Sequence, residues 1–170
     1  MKGGTYMNAI DSMMRIEEDG LRLYEMLSQE APTDELKEIF ALLADSQKRH
    51  LDILVGLKKR LGSVDADAMP VPNSFYLNNG FRRLMKNRDL IGTLKNDPDG
   101  FGHIVSTEEE VIRVLEGLAA CEPHKEMCRI MQRIARDERE HLSRIENIYD
   151  FIETPHTYLE WGEFSNLRTL

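Results

Sequence analysis

The sequence predicts an all-α fold: a four-helix bundle made of two antiparallel hairpins joined by a long crossover. Three observations predict it. Apolar residues recur at three- and four-residue steps in four long segments. Two of the three connections are tight corners, whereas the middle one is long and rich in Pro, Asn, Asp and Gly. The first half of the chain also recurs in the second half at a fixed offset.

The first helix spans about residues 8–30, with Ile10, Met13, Met14, Leu21, Tyr24 and Leu27 on one stripe. Asn8 suits its N-cap, Asp11 its first turn, and Pro32 its stop. The second spans about 34–61 on Ile39, Phe40, Leu43, Leu54, Leu57 and Leu61. Lys58, Lys59 and Arg60 complement the dipole of its last turn, and Gly62 ends it. The crossover covers 62–97, with a short helix expected around Phe81–Arg88. The third helix spans about 98–121 on Val111, Ile112, Leu115 and Leu118. Its start reads in two ways: Asp97-Pro98 as N-cap and N1, or Ser106 with Glu109 as a capping box. The fourth spans about 126–152 on Met127, Ile130, Met131, Ile134, Ile145, Ile148 and Ile152. A tail, 153–170, places Tyr158, Trp161, Phe164 and Leu167 at three-residue steps, to dock on the bundle or on a second subunit. No segment alternates with period two, so no sheet is predicted.

The repeat is a shift of 91 residues that aligns 17–54 with 108–145 without a gap. Eleven of the 38 pairs are identical, several times what chance gives. Among them are Glu17/Glu108, Glu18/Glu109, Glu25/Glu116, Pro32/Pro123, Ile39/Ile130 and His50/His141.

Composition bounds the function. The 170 residues hold 22 basic and 30 acidic side chains, a net charge of −8, which disfavours nucleic acid and anionic membranes as partners. No run approaches the length of a bilayer span. The first residues lack the apolar stretch of a signal peptide, so the cytoplasm is the expected compartment. Two cysteines, Cys121 and Cys128, are too few for a disulfide scaffold or a thiolate metal site.

Chemistry lies in what interrupts the apolar stripes. Glu17 and Glu108 fall on the inward faces of the first and third helices, Gln47 and His50 on that of the second, Glu138 and His141 on that of the fourth. A buried unpaired carboxylate costs several kcal/mol, so aligned interruptions of this kind call for a bound cation. Glu138-x-x-His141 is the i, i+3 pair that projects two ligands to one side of a helix. Carboxylates from two helices plus Glu-x-x-His from the other two make the two-iron site of carboxylate bundles.

Simpler readings stand beside each of these. Glu17 and Glu108 read equally as boundary carboxylates neutralised by Arg22 or Arg113, and Glu138 and His141 as an ion pair in a charge-rich run. His50 beside Gln47 reads as a satisfied core histidine, and Tyr24 as core packing with its hydroxyl bonded. The nine methionines read as core filler, with haem ligation as a minor alternative. His103, His124 and His156 read as solvated, and the two cysteines as inert.

The segments Glu17-Glu18-Asp19-Gly20-Leu21-Arg22-Leu23-Tyr24, Glu35 to Phe40, Lys48-Arg49-His50-Leu51 and Asp137-Glu138-Arg139-Glu140-His141-Leu142 resemble the helix motifs of the rubrerythrin-like branch of the ferritin-like superfamily. The resemblance covers roughly 8–61 and 98–152. It implies a ferritin-like bundle with iron as cofactor, one or two ions, manganese or zinc being alternatives. The implied ligands are Glu17, His50, Glu108, Glu138 and His141, with Gln47 as a weak ligand or a neighbouring donor. It further implies a cytoplasmic oxidoreductase of peroxidase or ferroxidase type acting on peroxide or O2, and a homodimer. The chain departs from the pattern at Gln47, where the family has Glu, and at Val111, where it has an acid. It also lacks the Cys-x-x-Cys pairs of a rubredoxin module, which leaves the electron donor open. These departures favour an alternative: a degenerate bundle with a weakened or single-ion site, serving as a binding or dimerisation module.

Overall fold

The computed structural model describes residues 6–61, 70–72, 78–96, 100–121 and 123–166; at 6–7, 70, 72, 94–96, 100–101, 148–149 and 151–166 it describes the backbone alone. Six helices and one short ribbon lie among them. They are β1 (Tyr6–Asn8), α1 (Ala9–Glu30), α2 (Asp34–Leu61), β2 (Pro70–Pro72), α3 (Gly80–Met85), α4 (Leu90–Asn96), α5 (Gly100–Cys121) and α6 (Lys125–Asn166). No helix among the described residues is long and apolar enough to cross a membrane.

Local chemistry accounts for the helix starts. Asn8 has an extended backbone, and its side chain accepts the Asp11 N–H at 2.8 Å, as its N-cap reading requires. Asn79 caps α3 in the same way, accepting from the Arg82 N–H at 3.1 Å.

Side-chain pairs fix the directions of the long helices. Lys58, late in α2, reaches Asp11, early in α1, at 2.6 Å. Arg60 of α2 faces Glu126 at the start of α6, and His50 faces Glu138 further along. Tyr24, late in α1, meets Glu108, while Ile16, earlier in α1, shares a cavity wall with Val111 and Val114 of α5. Each of these neighbours is therefore antiparallel. It follows that α2 and α5 run parallel, so the chain must travel the length of the bundle between them. That is why one connection is long while the other two are corners.

The crossover is built onto α1. β2 pairs antiparallel with β1, Met7 opposite Val71. Asp19 of α1 is buried and accepts from Asn79 Nδ2 at 2.9 Å and from Arg82 Nε at 2.5 Å. Those bonds seat Phe81 edge-on against Tyr24, ring centroids 5.7 Å apart, and Tyr24 stacks on Phe40 at 6.2 Å.

Several expectations need correction. A small two-stranded ribbon is present where no strand was predicted; three residues per strand are too few to show alternation. The crossover holds two short helices, the first ending at Met85. The capping box at Ser106 is not used: α5 starts at Gly100, so Ser106 is mid-helix, and residues 97–99 lie outside the described ones. The last helix does not stop near 152 but runs through Pro155 to Asn166; 167–170, with Leu167, lie outside the described residues. Pro155 removes one backbone bond without ending the helix. The buried face of α1 is also wider than its predicted stripe. Ser12, Ile16, Asp19 and Leu23 are buried too, on the flank that the crossover covers.

Candidate metal centre

Five of the six inward polar residues are buried. Glu17, Gln47 and Glu108 are each 1% exposed, Glu138 2% and His50 3%. The apolar stripes of the four long helices carry them inward, because a residue three or four positions from core leucines shares their face. The surface readings of Glu17, Glu108 and Glu138 are thus set aside. The arginines near them pair with other acids on the outer faces: Arg113 with Glu109, Arg133 with Asp137, and Arg139 with Glu116.

Three of these residues converge. One ligand atom each from Glu17, His50 and Glu138 lies within 4.8 Å of the others, a spacing at which one ion can be held. His50 Nδ1 is 2.7 Å from Glu138 Oε1 and 3.7 Å from Glu17 Oε2. The first contact is a hydrogen bond, whereas the second is too long for one and acts through charge.

The remaining predicted residues are engaged differently. Gln47 Nε2 donates to Glu138 Oε1 at 2.8 Å, and a Cβ on Gly20 would lie 2.7 Å from Gln47 Oε1, so glycine lets that amide sit where it does without a shift. Tyr24 donates to Glu108 Oε1 at 2.5 Å, which ties Glu108 to α1. His141 is half-buried and stands apart from the three, on the wall of a cavity between α2 and α6 that also reaches His50.

The electrostatics are those of a crowded acid cluster. Burial pushes Glu17 up to about 7, with His50 pulling it down and Glu138 pushing it up. Burial opposes a charge on His50, yet its contacts with Glu138 and Glu17 prevail and push it up to about 10. Burial, then repulsion from Glu138, raises Glu108 well above the carboxylate range despite the bond from Tyr24. Burial and the neighbouring Glu108 likewise raise Tyr24. His141 goes the other way: burial lowers it, Glu138 opposes that, and Arg49 and Arg144 add to it.

The donor set fits a cation. Both oxygens of Glu17, Oε2 of Glu108 and Oε1 of Gln47 are buried without a hydrogen-bond partner among the described residues. Buried carboxylate oxygens left bare carry a large desolvation cost, which a divalent ion among them removes. Two carboxylates and an imidazole suit a hard or borderline ion with open positions.

Two features were missed in the sequence. The partner of the Tyr24 hydroxyl lies 84 residues away, and nothing local marks it. The buried Asp19–Arg82 pair was also missed; the signal was Asp19 falling in line with Ser12, Ile16 and Leu23.

No family model, curated protein or solved structure matches this chain.

Proposed function

We propose that the chain is a rubrerythrin-like member of the ferritin-like superfamily whose bundle holds one divalent cation, iron first, at Glu17, His50 and Glu138, and that it handles peroxide or O2 there. The observation that carries this reading is Glu17, buried with two unpartnered oxygens beside His50 and Glu138. Two antiparallel hairpins whose α2 and α5 run parallel, joined by a long connection, support it. A bound iron ion would supply Lewis acidity and electrons. The chain's own residues hold and orient: Gln47 fixes Glu138 from the side, and Tyr24 holds Glu108 toward α1. With an amide at 47 and His141 set apart, the chain offers one complete ligand set rather than two.

A second reading rests on His50. Raised to about 10, it is protonated at neutral pH and offsets Glu17 and Glu138 without a metal. The bundle would then be a degenerate member, used for binding or dimerisation.

Elemental analysis of protein produced with iron or manganese supplement decides between them. The first reading expects about one ion per chain, rising toward two in Gln47→Glu, where a carboxylate replaces an amide that bridges poorly. Near zero in the wild type with two ions in Gln47→Glu establishes the degenerate reading instead.

A further inference from the structure

We propose that the cavity between α2 and α6 is a docking site for a small oxyanion, gripped by the guanidinium groups of Arg49 and Arg144. The cavity measures about 280 Å³. At about 30 Å³ per water, that admits a phosphate-sized anion with several waters. Arg133 on its wall is committed to Asp137 at 3.7 Å. Arg49 and Arg144 are exposed and make no ion pair among the described residues. Glu140 is the remaining carboxylate on the wall, so one guanidinium is in excess over the free acids. Ser46, 2% exposed, lines the same cavity with a hydroxyl that makes no hydrogen bond among the described residues. His141 completes the wall, close enough to both arginines for them to disfavour its protonation.

A planar guanidinium binds oxyanions through paired N–H groups, and two of them across a small concavity are worth more than either alone. No hydrogen bond or ion pair among the described residues engages these two arginines. The cavity also reaches His50, so an anion held here lies beside the three-residue cluster. The inference deepens the proposed function by naming a class of molecule brought to that cluster. It rests on that reading for its purpose, although its binding chemistry stands on the arginines.

The test is calorimetric titration of inorganic phosphate into the purified protein at low ionic strength, with metal content measured on the same sample. Saturable binding is expected, weakened about tenfold or more in Arg49→Gln and in Arg144→Gln, since each removes a charge-assisted bidentate contact. Arg133→Gln serves as control and should weaken it less. All three side chains are exposed, so unfolding midpoints should stay close to that of the wild type and rule out a folding artefact. Absence of saturable binding to the folded wild type, or equal affinity in the Arg49 and Arg144 variants, would overturn the proposal. Phosphate binding to protein without metal upholds the anion site and defeats the metal reading. Metal without phosphate binding does the reverse.

Discussion

The two halves of the repeat keep the same acids and histidines but use them differently. Glu17 and Glu108 are sequence mates, as are His50 and His141, and Gln47 and Glu138. The first half has become the donor side. Gln47 Nε2 and His50 Nδ1 both end on Glu138, and the Tyr24 hydroxyl ends on Glu108. The second half supplies the acceptors. Leu115 stands where the first half has Tyr24, so Glu17 has no phenol to hold it, and both its oxygens stay bare. His50 is buried against two carboxylates, while its mate His141 is half-buried on a cavity wall. Three differences between mates, 47/138, 24/115 and 20/111, lie at the contacts that distinguish the collected ligand set from the carboxylate tied to a tyrosine.

That asymmetry can be broken from the acceptor side most severely. Glu138→Ala removes the residue on which both first-half donors converge, leaving His50 and Gln47 buried without their acceptor. It should abolish metal content and cost about 3–5 kcal/mol in urea unfolding. A variant that keeps its metal and loses less than about 1 kcal/mol would contradict the convergence on Glu138.

Proton control sharpens the comparison next, because Glu17 and His50 both have folded-state pKa values raised above their ordinary ones, from 4.5 to about 7 and from 6.5 to about 10. A raised pKa gives stability that is full below the ordinary value and lost as pH rises through the folded one. Metal-free protein should therefore lose stability steadily between about pH 5 and pH 10. Protons compete with the ion for the same groups, so metal should stabilise most at the alkaline end. Melting temperatures measured across that range with and without chelator check both slopes; a metal-free curve that rises with pH contradicts the shared burial of these two groups.

Tyr24→Phe tests the second-half carboxylate. It deletes the bond to Glu108 and should cost about 1–3 kcal/mol, the range for leaving a buried acceptor unsatisfied, while leaving ion content near that of the wild type. Metal loss in this variant would mean that Glu108 belongs to the working ligand set. Gly20→Ala should be milder, about 1–2 kcal/mol. The added Cβ would sit 2.7 Å from Gln47 Oε1 and 2.9 Å from Phe81 Cε2, and both side chains have some room to turn. A neutral result in denaturant would show that Gly20 does not set the position of Gln47.

Much of this was visible in the sequence, and the reason is physical. Periodicity is a property of single helices, so the long elements and the inward placement of Glu17, Gln47, His50, Glu108 and Glu138 follow from the spacing of Leu, Ile and Met around them. Corner lengths added the hairpins. What stayed hidden depends on pairs far apart in the chain. His141 lines the cavity beside His50 rather than joining Glu17, His50 and Glu138, and no spacing rule within α6 carries that information. The same holds for Asp19, whose burial needs the crossover to arrive with Arg82. The last helix is missed in the opposite sense: its apolar stripe ends near Ile152, yet the backbone stays helical through Pro155 to Asn166.

The ribbon between β1 and β2 has a consequence in time rather than in energy. It joins residues 6–8 to 70–72, so it closes a loop that contains the whole first hairpin. Strands of three residues are too short to persist alone, and loop closure of that length must precede any gain from pairing them. Helix formation and hairpin docking need only local contacts and are faster. The expected order of assembly is α1 with α2 first and the ribbon last. Pro70 and Pro72 have no N–H to offer, so that final lock cannot recruit a further strand through them. On that order, pairing of Met7 with Val71 would report that the first hairpin is in place.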